Sequence, residues 1–181
     1  RSGEQTWQIT ADKDATTSGA QTGTKKDAKV GKDDKVQLIA GENMTVNQNE
    51  RDFTFTLNKD LVKMNSATFE ATGGKTTVIK GDSIVQTDGT KVNTSTAGGN
   101  TVADGTKSTE TTAAGQVIKD GAKTNTSTVD ENTIVDGTKS NKSTVDGNTI
   151  TDGTNTTATT SSSVTVKDNA GNSTVITKDN I

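Results

Sequence analysis

A chain of 181 residues is long enough for one or two ordinary domains, yet Leu, Ile, Val and Phe together supply only 30 of them, with one Trp and no Tyr. Poverty of this kind usually means disorder, but disorder also brings high net charge and proline, and here the net charge is -3, proline is absent and Thr, Val and Ile abound. The composition therefore excludes a large self-sufficient core and a strongly charged tail, and predicts an ordered, β-rich chain with a thin core. Interspersed Lys and Asp argue against nucleic acid or an anionic membrane as partner.

Residues 1–34 contain Trp7 in Trp7-Gln8-Ile9-Thr10-Ala11-Asp12, followed by a polar stretch rich in Lys, Asp, Thr and Gly. Only Thr6 to Thr10 alternates, so at most a short strand or two is expected here and the remainder is loop. Within residues 35–70, Val36, Leu38 and Ala40 alternate, a turn follows at Gly41-Glu42-Asn43, Met44 and Val46 alternate again, and Phe53, Phe55 and Leu57 share a face. The expectation is a three-strand meander with one apolar face, its aromatics packed as core. Asn58-Lys59-Asp60 before Leu61 and Met64 predicts one helical turn.

The third segment, 71–181, repeats itself from residue 84. Asp-Gly recurs at Asp88, Asp104, Asp120, Asp136 and Asp152, with Asp168-Asn169 in phase, and two residues before each Asp stand Gln86, Val102, Ile118, Ile134, Ile150 and Val166. Asp-Gly between β-branched runs is a strong turn signal. Each 16-residue unit thus reads as two short strands and two tight turns, the second turn falling at Gly98-Gly99, Asp130-Glu131 or Asp146-Gly147. Thr76 to Ile84 resembles Ser173 to Ile181, which suggests a larger module around the array. A unit such as 136–151 offers only Val145 and Ile150 as large apolar groups. At about 1.5–3 kcal/mol each when fully buried, they fall far short of a backbone ordering cost of roughly 1–2 kcal/mol per residue. An obligate oligomer follows, and a trimer is the simplest prism.

Histidine and cysteine are both absent, which removes the usual general base, the thiol nucleophile and the two commonest zinc ligands. The carboxylates stand at turn positions, where Asp is favoured for its backbone geometry. No enzymatic activity, cofactor or metal is expected. The Asp-Gly-Thr-Lys units do not match a nine-residue calcium-binding β-roll, and they cluster too few oxygens for calcium. Asn43, Asn93, Asn125, Asn141, Asn155 and Asn172 open Asn-x-Ser/Thr triplets, which would be glycan acceptors in a eukaryotic secreted chain and which an Asn- and Thr-rich composition also produces by itself. Lys25, Lys26, Asp27, Lys29, Lys32, Asp33, Asp34, Lys35 and Arg51 form either a receptor patch or a solvated surface.

Trp7 to Asp12 resembles the start of the Trp-ring head domain of trimeric autotransporter adhesins. Lys35 to Phe69, with Leu38-Ile39-Ala40-Gly41-Glu42-Asn43-Met44-Thr45-Val46 and Phe53-Thr54-Phe55-Thr56-Leu57-Asn58-Lys59-Asp60-Leu61, is similar to the GIN domain of that family, although Glu42 stands at the centre of the Gly-Ile-Asn signature. The resemblance covers about the first 70 residues and is weaker over the array. It implies an elongated homotrimeric β-prism or β-roll fibre with strands interleaved around a threefold axis, in which Trp7, Phe53, Phe55 and Leu57 form the trimer core. The implied organisation is a Trp-ring-like segment at 1–34, a GIN-like meander at 35–70 and a β-prism or stalk at 71–181. It also implies an internal segment of a bacterial surface protein, anchored in the outer membrane by a downstream region. Its partners would be two identical chains and a host cell-surface or extracellular-matrix protein, without membrane contact by this segment. A purely structural spacer and a phage tail-fibre-like trimer are the competing readings.

Overall fold

The computed structural model describes residues 5–181, which are all-β, with no helix among them. The chain divides into two compact units, Arg1–Lys63 and Met64–Ile181.

In the first unit, β1 (Trp7–Ile9) pairs antiparallel with β2 (Ala28–Val30), placing Trp7 opposite Val30. β3 (Met44–Asn49) and β4 (Asp52–Leu57) form a separate hairpin in which Met44 faces Leu57 and Val46 faces Phe55. The three-strand meander expected from alternation is therefore two-stranded. Residues 35–40 form no strand, and Val36 and Leu38 are exposed. Alternation specifies a face, but a strand also needs a neighbouring ladder to take its N–H and C=O groups, and none lies alongside.

The expected helical turn at 58–64 is also absent. A single turn is costly to nucleate. Here the Asn43 side chain takes both polar groups of Val62 instead: Nδ2 donates to its carbonyl at 2.9 Å, and Oδ1 accepts from its N–H at 2.8 Å.

The second unit is a single antiparallel sheet of 14 strands, in which every strand pairs only with its neighbours in sequence. The order is β5 (Ser66–Ala71), β6 (Lys75–Lys80), β7 (Ile84–Asp88), β8 (Lys91–Thr96), β9 (Gly99–Asp104), β10 (Lys107–Thr112), β11 (Gly115–Asp120), β12 (Lys123–Thr128), β13 (Glu131–Asp136), β14 (Lys139–Thr144), β15 (Asn148–Thr151), β16 (Thr156–Thr159), β17 (Val164–Lys167) and β18 (Ser173–Ile176). Six-residue strands and two-residue loops add to eight, so the 16-residue repeat is one strand pair. At about 4.8 Å between strands the sheet extends for roughly 60 Å.

Both turn types have a clear local cause. At the Asp-Gly turns the Asp closes the strand, and Gly with the next residue makes the loop, as in Asp104↔Lys107 around Gly105-Thr106. Gly89, Gly105, Gly121 and Gly137 have φ of 60° to 62°, while the residue after each does not have positive φ. This is the type II′ pattern, whose twist matches that of the flanking strands. At the other margin the hydroxyls of Thr96, Thr112, Thr128, Thr144 and Thr160 each accept the N–H two residues on, at 3.1–3.2 Å. The loops there are one residue earlier than sequence spacing suggested: Thr96 pairs with Gly99 across Ala97-Gly98, and Val145 is 98% exposed in the turn after Thr144. Val145 therefore contributes nothing to a core within the chain.

At the start of β11 the neighbouring backbone leaves no room for a side chain. A Cβ on Gly115 would lie 2.1 Å from the Ser127 carbonyl oxygen, and its φ is +150°, whereas Gly98 meets nothing closer than 3.8 Å. Gly115→Ala should cost about 1–3 kcal/mol and Gly98→Ala almost nothing, measured as the difference in urea midpoint between the two variants.

Candidate functional site

Register sorts the side chains of the sheet into rows, because directly opposed residues of antiparallel strands point to the same face. One row runs Asp88, Lys91, Asp104, Lys107, Asp120, Lys123, Asp136, Lys139, each charge beside its opposite. Lys75 approaches Asp88, and Lys123 approaches Asp136, both at 3.7 Å. Turn threonines reinforce it: Thr90 Oγ1 donates to Asp104 at 2.7 Å and Thr106 Oγ1 to Asp120 at 2.9 Å.

Two residues away on every strand, and hence on the same face, lies a second row: Phe69, Thr77, Gln86, Asn93, Val102, Thr109, Ile118, Asn125, Ile134, Asn141, Ile150, Thr157, Val166. From β9 onward it alternates apolar and polar. The apolar members are open to solvent: Phe69 is 60% exposed and Ile118, Ile134 and Ile150 between 44% and 51%. This is the ladder face. Between the charged and apolar rows run three depressions of 400, 530 and 540 Å³, adjoining at Val102 and at Ile134. The opposite, threonine face carries Thr94, Thr101, Thr126, Thr133 and Thr149 in one row, with Val85 and Val117 half-buried among them.

Asparagines tie the ladder face together in two places. Asn100 Nδ2 donates to Asn93 Oδ1 at 2.8 Å, and Asn148 Nδ2 to Asn141 Oδ1 at 2.7 Å. At the equivalent place in the repeat between them, Asn125 Oδ1 is buried without a hydrogen-bond partner. Three of the six Asn-x-Ser/Thr asparagines thus lie half-buried in the row itself.

The other sequence candidates are dispersed. Trp7, Phe53, Phe55 and Leu57 are 55%, 41%, 60% and 60% exposed in the single chain, the last three on one face of the β3–β4 hairpin. Of the charged residues at 25–35, Lys25 pairs with Asp12 at 2.7 Å and Asp34 accepts the Gly31 N–H at 2.7 Å, while Lys29 is central in β2; Arg51 lies in the β3–β4 loop. No cluster of three or more acidic side chains able to hold a metal ion occurs among the described residues. The ladder-face rows were half-legible in the sequence: the residues two before each Asp were marked by spacing, but the alternating Lys partners emerge only once the strands are in register.

Where the repeat degenerates, Asp changes role. Asn155 occupies the position of the ladder Lys, and Asp152 accepts the backbone N–H groups of Asn155 and Thr154, which hold its carboxyl below the usual range. Asp168 is lowered likewise by the Asn172 side chain, then by the Asn172 and Ala170 N–H groups. Compared with known proteins, the chain matches no family model, no curated protein and no solved structure.

Two outcomes are expected. Carboxyls with depressed pKa stabilise the fold above the ordinary value of about 3.9, and that contribution is lost as pH falls through the depressed values. Acid titration followed by amide NMR should accordingly move Thr154, Asn155, Ala170 and Asn172 together, below the ordinary carboxylate range. Lys123→Glu places like charges across the strands and should lower stability by about 0.2–1 kcal/mol per disrupted pair, a loss that shrinks in high salt.

Proposed function

We propose that this chain is an extracellular segment of a bacterial trimeric surface adhesin, three copies forming an elongated β-prism or roll that attaches the cell to a host surface or extracellular-matrix protein. The carrying observation is an ordered chain without a core of its own: among the described residues only Val30 is buried. A folded monomer of 18.7 kDa exposes about 8,300 Å², whereas this chain exposes 14589 Å². The excess, roughly 6,300 Å², is the scale of obligate interfaces, which run to about 2,000–5,000 Å² and beyond. Open sheets also rarely exceed about ten strands without curling or packing on another sheet, and this one has 14. The exposed Trp7, Phe53, Phe55 and Leu57 fit the same account, as residues that two further chains would cover.

Within this reading the array serves chiefly as spacing. The same residue types recur at the same rows along its length, so no stretch of it is singled out as a site, and copy number sets reach. Adhesion is then assigned to residues 1–70, with affinity gained through many copies on one surface.

Light scattering on the purified chain should give three times 18.7 kDa; a folded monomer would sink the proposal. Immobilised matrix proteins should retain the trimer and a 1–70 fragment fused to a trimerising coiled coil, but not the array alone.

A further inference from the structure

We infer that the ladder face, and not the threonine face, is the surface on which copies of this chain pack, with the Val102–Ile118–Ile134–Ile150–Val166 row at the centre of the contact. The inference rests on the oligomeric reading above for the presence of other copies, and adds which side of the sheet they occupy.

Two independent observations select the face and its occupant. The first is the distribution of apolar surface. Phe69, Ile79, Ile84, Val102, Ile118, Ile134, Ile150, Val166 and Ile176, all at least 40% exposed, stand on the ladder face, against Val175 alone among the exposed large apolar strand residues of the other. An apolar row of this length has no reason to be open unless it is covered.

The second is charge. The flanking row alternates Lys and Asp with no net excess, so it offers no attractive field to an anionic or cationic partner. It is complementary to a row of the same alternation, since a displacement by one strand sets every Lys beside an Asp. A second copy carries that row.

The sequence holds no native cysteine, so single-cysteine variants report the face directly. Thr109→Cys and Thr157→Cys place a thiol in the apolar row, while Thr101→Cys and Thr126→Cys place one on the threonine face; all four are matched in size. Each variant of the full 181-residue chain is checked by circular dichroism and light scattering, then treated with a short bifunctional maleimide. The expected result is covalent dimer from the ladder-face pair, at least tenfold more than from the threonine-face pair. Ile134→Lys should also drive the assembly to monomer, and Val135→Lys, on the opposite face, should leave its mass unchanged. Cross-linking on the threonine face, equal cross-linking on both, or none on either while the associated mass persists would overturn the inference and leave the oligomer standing. A monomeric wild-type chain would remove both.

Discussion

Every position in the array is governed by one constraint, the fixed length of strand plus loop. Two six-residue strands and two two-residue hairpins return the chain to the same row and the same direction after 16 residues. Because side chains alternate faces with period two, an even-numbered unit keeps each residue type on one face indefinitely. A single inserted residue would reverse the faces of everything downstream. Where the last loop lengthens, at Asp168 to Asn172, the capping threonine falls 17 residues after Thr160, at Thr177, and the loop absorbs the extra residue so that Val164 still faces Ile176.

That constraint explains how a chain so poor in apolar residues stays ordered. Ladder hydrogen bonds satisfy the backbone locally, the hairpins of the 16-residue repeat close at small entropic cost because their loops are two residues, and Lys/Asp pairs with Thr-to-Asp bonds favour one register over its neighbours. None of this supplies a second layer, and a sheet needs one to bury its apolar face. The ladder face is thus left with Val or Ile on every second strand from β9 to β17, in contact with solvent in the isolated chain.

The first unit follows different rules. Its elements are two short pairings, and much of its length is irregular but tied by side-chain to backbone bonds, such as Asn43 to Val62 and Asp34 to Gly31. Glu50, at φ 56°, opens the β3–β4 loop where the array uses glycine, a conformation unfavourable to a residue with a Cβ.

The amino-acid sequence by itself determined the β class, the 16-residue period, the Asp-Gly turns and the alternation that puts Phe53, Phe55 and Leu57 on one side, because these depend on residues close in the chain. Its spacing puts the turns after Thr96 and Thr144 one residue late, since the threonine caps and not the spacing set them, and it offers a strand at 36–40 and a helical turn at 58–64 that local pattern allows. Only the tertiary structure decided those cases, through the missing ladder beside 36–40 and the reach of Asn43 across 19 residues to Val62. It alone also set Lys against Asp from β7 to β14, and Val or Ile beside Asn or Thr from β9 to β17, because cross-strand register is a relation between residues that no local period contains.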